Sequence, residues 1–201
     1  MTTLTTTFTL LRQADACTEG YRTLAKHLGG VTKYGADTPI DLLTILDSNG
    51  LLDTMWCLRA TQQEADALTV ARLFAIDCAE SALPIFEAKY PNDQRPRQAI
   101  QAAKDYMAGK ITREALYAAA YAAAAAAADS AASAAAYAAA AAYAAAAAYA
   151  ADSAVAAAAY AADAAAYAAA YADAERQRQT TALRRRLATV IADAAAQGKA
   201  Q

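Results

Sequence analysis

Apolar residues in the first half of the chain return every three or four positions, in runs set apart by clear breaks. The runs predict helices over Leu10 to Leu28, Pro39 to Leu46, Gly50 to Ala60, Gln62 to Tyr90, Gln94 to Ala108, and from Thr112 onward. Each break has a physical cause. "LGG" at Leu28 to Gly30 ends a helix with glycine, and "YGADTP" at Tyr34 to Pro39 offers Asp37 or Thr38 as a cap, with Pro39 in the first turn. "YPNDQRP" at Tyr90 to Pro96 places Asp93 as the next N-cap, and "AGKITREAL" joins two helices through Gly109 and Thr112. No alternating run of strand type occurs. The expected fold is all-α, a multi-helix array or bundle in which long alanine-rich helices pack on a conventional apolar core.

That core is named by its large side chains: Leu42, Leu43, Ile45, Leu46, Leu51, Leu52, Met55, Trp56 and Leu58, joined by Val70, Leu73, Phe74, Ile76, Ile85 and Phe86. Three segments are expected, a helical core domain over 1–116, an alanine- and tyrosine-rich helical region over 117–175 packed on it, and a basic C-terminal helix over 176–201.

The second half breaks the ordinary pattern. From Tyr117 to Asp173, 41 of 57 residues are alanine, with eight Tyr, four Asp, three Ser and one Val. Alanine is the best helix former, and neither Gly nor Pro interrupts the chain between Gly109 and Gly198. Helix is expected, and disorder is not. The charge-free stretch from Ala131 to Ala151 is long enough to span a bilayer, yet it lacks Leu, Ile, Phe and Val, so a membrane span is not expected. An ice-binding rod would repeat threonine along one face, and no Thr lies between Thr112 and Thr180.

Tyrosine is what repeats. At about 100° per residue, Tyr149, Tyr160, Tyr167 and Tyr171 fall within roughly 40° of one another and make a stripe. Tyr117 and Tyr121 form a similar pair, whereas Tyr137, Tyr143 and Tyr149 point three ways, so more than one helix is expected. Asp129-Ser130 and Asp152-Ser153 are the caps available inside the tract. The competing picture is one rod of about 60 residues, reaching about 90 Å. The simplest role for the rings is packing, each filling a gap between alanine faces with its hydroxyl in water. The sharper role is stacking on a nucleotide, although no Arg or Lys lies between Arg113 and Arg176.

Charge and candidate chemistry change the picture little. The net charge of -2 at pH 7 selects neither nucleic acid nor membrane, and nucleic acid is not expected as a partner. It is unevenly spread, because residues 174–201 hold six basic and two acidic side chains, including Arg184, Arg185 and Arg186. The expected use of this segment is intramolecular, with Leu183, Leu187, Val190 and Ile191 packing back at helical spacing. Asp37, Asp41, Asp47 and Asp53 read as caps and solvated faces. Cys17, Cys57 and Cys78, widely spaced and odd in number, suit buried thiols in a reducing cytoplasm, and the N-terminus lacks the basic and apolar regions of a secretory signal. The sole histidine, His27, suits a helix end, and no metal-ligand spacing or phosphate loop is present. An enzyme is not expected, and neither is a cofactor or metal.

Three blocks followed by the alanine run carry a resemblance: "CTEGYRTLAKHL" (Cys17 to Leu28), "DLLTILDSNGLLDTMWCLRA" (Asp41 to Ala60) and "RLFAIDCAESALPIFEAKYPNDQRPRQAIQAAKDYMAGKITREAL" (Arg72 to Leu116). In that order they look like the immunity protein family of bacterial polymorphic toxin systems, which also occurs in phages. The resemblance implies a non-enzymatic inhibitor that sequesters a protein partner, a toxin or a defence component, and it brings no catalytic residues. Two other readings stay open. One is a sponge for a nucleotide signal, with Tyr149, Tyr160, Tyr167 and Tyr171 stacking and Arg95, Arg97, Arg184, Arg185 or Arg186 reaching phosphates. The other is a structural helical protein whose alanine faces pair between chains as a homo-oligomer.

Overall fold

A computed structural model describes residues 4–129, 140–141, 154–168 and 172–197. Among them lie ten α-helices and one ladder of two very short strands, so the fold is mainly all-α, as the apolar spacing predicts. The chain forms two compact units, one taking Met1–Val70 with Thr180–Gln201 and the other Ala71–Gln179.

The first unit opens with β1 (Thr5–Thr6), followed by α1 (Phe8–Gln13), α2 (Thr18–His27), α3 (Val31–Tyr34), β2 (Ile40–Asp41), α4 (Leu42–Asn49) and α5 (Leu51–Cys57). It also holds the start of α6 (Glu64–Lys89) and the later part of α10 (Ala172–Gln197). Two expectations fail here for local reasons. The single helix over Leu10 to Leu28 is two, because Asp15 adopts φ 59 and turns the chain, after which Cys17 caps α2 by accepting the Gly20 N–H at 3.3 Å. Pro39 does not start a helix, and Asp37 and Thr38 do not cap one. The chain stays extended into β2, which pairs antiparallel with β1 (Thr5 opposite Asp41, Thr6 opposite Ile40), and Asp41 caps α4 by accepting the Leu43 N–H at 2.8 Å.

Gly50 separates α4 from α5 at φ 84, a backbone setting that other residues adopt only with strain. Around this joint Leu42, Ile45, Leu46, Leu51, Met55 and Leu58 are buried, as the apolar pattern predicts. Leu43 and Trp56 are only half-buried, and Leu52 is 57% exposed. Leu4, Phe8 and Leu11 from the N-terminal stretch and Leu24 from α2 complete the core. The basic C-terminal helix contributes Leu183 and Leu187, both buried four residues apart, as its spacing predicts. The side chains of Val190 and Ile191 lie outside the described ones.

In the second unit the body of α6 brings Phe74, Ile76 and Phe86 inward, while Leu73 and Ile85 are half-buried. Next come α7 (Arg95–Met107) and α8 (Arg113–Asp129). The N-cap of α7 is Gln94, not the expected Asp93, which stands one residue earlier and accepts the Arg95 backbone N–H at 3.1 Å; Gly109 (φ 69) follows the end of α7, and the Thr112 hydroxyl accepts the Ala115 N–H at the start of α8. Arg95, at the first residue of α7, lies 2.9 Å from the carboxylate of Asp129 at the last residue of α8. The two helices therefore run antiparallel.

Beyond α8 the tract continues in α9 (Ala154–Ala168) and α10. The single-rod picture fails between them. Gln179 Nε2 donates to the Ala162 carbonyl at 2.8 Å, a contact that 17 residues of continuous helix, about 25 Å, forbid. The chain folds back, and the tract holds more than one helix. Ser130, Asp152 and Ser153, considered as caps, and Tyr137 and Tyr143 lie outside the described residues.

Candidate binding surface

The alanine helices are sided. On α8, Leu116, Ala120, Ala123 and Ala126 recur at intervals of four, three and three and are all buried. On α9, Ala161, Ala162, Ala164, Ala165 and Ala168 are buried. The tyrosines leave from the other side: Tyr121 is 69% exposed, Tyr160 53% and Tyr167 70%, with Tyr117 at 38%. For these four described rings this corrects the expected packing role. Alanine faces close enough together leave no gap for a ring to fill, so the methyls make the interface and the rings are turned outward.

Of the expected stripe, the structure describes Tyr160 and Tyr167, seven residues apart on α9 and about 20° apart around its axis. Tyr149 and Tyr171 lie outside the described residues. Tyr117 and Tyr121 make the equivalent pair on α8, and the Arg113 guanidinium sits 5.6 Å from the Tyr117 ring centre.

Three of the arginines considered alongside the tyrosines, Arg95, Arg97 and Arg184, are engaged by carboxylates. Arg95 binds Asp93 through paired hydrogen bonds and also reaches Asp129, which holds the Asp93 carboxyl below its usual range. Arg97 binds Glu87 through two bonds of 2.7 Å. In the first unit Arg184 pairs with Asp47 at 2.5 Å. Arg185 is exposed and Arg186 half-buried.

A buried polar cluster supports the tyrosine-bearing α9 from behind. Glu175 on α10 is 2% exposed and accepts from the Ser81 hydroxyl of α6 at 2.6 Å and from Gln179 Nε2 at 3.3 Å. Gln179 continues to the Ala162 carbonyl, and Arg176 binds Asp163 at 2.6 Å and Gln179 Oε1 at 3.2 Å. Faces made only of methyl groups slide past one another at little cost, whereas these directional bonds fix one register of α9 against α10. Periodicity could not reveal the cluster, because Ser81 and Glu175 look like ordinary surface residues in the sequence.

The thiols divide. Cys57 and Cys78 are buried as expected, and burial raises both, the Cys57 thiol to about 12. Cys17, expected to be buried, is exposed because its sulfur serves as the cap of α2. His27 is the last residue of that helix. Among the described residues no three His, Cys, Asp or Glu side chains gather to hold a metal ion, and no helix is long and apolar enough to cross a membrane.

A family model described as "Imm-5 like putative immunity protein" matches residues 61–186, from before α6 into α10. The chain belongs to that family. The immunity family segment thus contains both tyrosine pairs, the buried Glu175 cluster and Arg184 to Arg186. Neither a curated protein nor a solved structure matches the chain.

Proposed function

We propose that this immunity family member is a non-enzymatic inhibitor that binds and sequesters a protein, a toxin or a defence component, through the outward tyrosines of α8 and α9. The observation that carries the reading is the sidedness of those helices within the family-matched segment: alanine inward, Tyr117, Tyr121, Tyr160 and Tyr167 outward. Tyrosine supplies large contact area with only two side-chain torsions to freeze, and its hydroxyl can bond to a partner while the ring excludes water. The register-fixing cluster beneath α9 holds the rings in place before binding, which lowers the ordering cost of association.

A protein partner is favoured over a nucleotide because Arg95 and Arg97 already hold carboxylates that a phosphate would have to displace. The experiment is a pull-down from the native host with wild type and a Tyr160→Ala/Tyr167→Ala double variant, with mass spectrometry of bound protein and bound small molecules. The expected outcome is one stoichiometric protein retained by wild type and lost from a double variant whose circular dichroism is unchanged. Equal retention by both chains removes the tyrosine surface. Recovery of a nucleotide in place of a protein overturns the inhibitor reading.

A further inference from the structure

A cavity of about 250 Å³ lies wholly inside the first unit, bounded by residues of α1, α2, α4 and α5 and of the turn between α1 and α2. Its lining residues fall between Leu11 and Cys57, ahead of the family-matched segment, so it stands apart from the inhibitor reading. The walls are mostly apolar. Leu11, Leu24 and Ile45 are buried, and Leu52, the most exposed large aliphatic side chain of this unit, lines the same space. A dry apolar cavity of about 150 Å³ takes up benzene, so this one has room for a ring with a short arm.

One carboxylate lines this apolar space, and it is held in position. Asp53 Oδ2 accepts from Asn49 Nδ2 at 2.8 Å, and the same amide group donates to the Gly20 carbonyl at 2.8 Å. Gly20 makes the approach feasible, since a Cβ there would stand 2.6 Å from Asp53 Oδ2. No described cation pairs with Asp53. Arg12 and Arg59 stack on the Tyr21 and Trp56 rings at 5.6 and 5.3 Å, but both guanidinium-bearing residues are exposed and neither lines the cavity. The Cys57 thiol, which also lines the cavity, is raised first by burial and then by Asp53.

We infer that this cavity is a binding site for a small organic ammonium, with an aromatic or branched-alkyl body among Leu11, Leu24, Ile45 and Leu52 and its charged head on Asp53. An apolar body gains from leaving water, and the head meets a preplaced carboxylate. A carboxylate head on the same body would face Asp53 as a like charge and is excluded.

Cys17 lines the cavity and is the one exposed thiol, whereas Cys57 and Cys78 are buried, so Cys17 alkylation reports occupancy on the unaltered chain. The probes are phenethylammonium and, as its charge-inverted counterpart, phenylacetate. Phenethylammonium is expected to bind with a Kd of about 1 mM or tighter by calorimetry and to slow the reaction of Cys17 with neutral N-ethylmaleimide, while phenylacetate does neither. Asp53→Asn is expected to weaken the amine about tenfold, and Leu52→Ala, at an exposed position, to weaken it without disturbing the fold. Equal effects of amine and acid, no protection of Cys17 by the amine, or amine affinity unchanged in both variants each overturn the proposal. Should Asp53→Asn fail to fold, the amine-versus-acid comparison on wild-type Cys17 decides the matter alone.

Discussion

Gly50 and Gly20 show two different reasons for a glycine within a few ångströms of the same core. Gly50 is needed for its backbone: at φ 84 an alanine is strained, and Gly50→Ala is expected to cost about 1–2 kcal/mol, read as a lower urea midpoint with unchanged slope. Gly20 is needed for its missing side chain, because a Cβ would push on Asp53 and Cys17. Glu175 is the residue whose loss should be felt most. Removing a buried carboxylate strips an acceptor from Ser81 and Gln179, so Glu175→Ala is expected to destabilise by about 1–3 kcal/mol by the same measurement. At this scale the sequence was legible where a residue acts through its neighbours in the chain, as Thr112 does in its cap. It was not legible where a residue acts across the fold. Nothing within ten residues of Glu175 points to Ser81, and nothing near Cys17 reveals that a sulfur does the work of a serine cap.

At the scale of the element, helical period and composition predict α5 to α8 closely, because their apolar residues are large and few rotations bury them all. The alanine helices lack that information. With methyls on every side, period cannot tell the buried face from the open one, and only the rings mark a direction, which turned out to be outward. The two faces should therefore respond oppositely to size. Ala123→Leu, at a fully buried position, is expected to cost about 1–3 kcal/mol through overpacking, whereas Tyr121→Ala, 69% exposed, should leave the thermal midpoint nearly unchanged. Thermal melts of the two variants side by side check this directly. The broken helix at Asp15 and the extended Pro39 belong to the same lesson: a polar turn of two or three residues carries too little pattern to compete with the period on either side.

For the whole molecule, acid is the expected weak side. Asp93 is held low chiefly by the Arg95 side chain, and Glu114 by a bond from its own backbone N–H and then by Thr112. Both carboxyls release their protons at lower pH folded than unfolded, so the stabilisation they add is complete above the ordinary carboxylate range. It is lost as pH falls through the depressed folded values. Urea midpoints measured between about pH 7 and pH 3 should fall with acid, and Asp93→Asn/Glu114→Gln should flatten that fall. A pH dependence unchanged in the double variant would remove these two groups from the account.

An alanine run spelled almost entirely with one family of codons invites slippage during replication, so its length should drift more readily than that of the flanking helices. Any such drift would have to keep the contacts at Ala162 and Asp163, which clamp α9 from one side while Tyr160 and Tyr167 face away. A gain of one residue between Tyr160 and the clamp swings the Tyr160 ring by about 100°, whereas a gain of seven or eleven returns it to within about 20° of its row. Length variants that survive are expected to differ by such whole periods, which makes the tract a ratchet that can lengthen its tyrosine row without rebuilding the helices behind it.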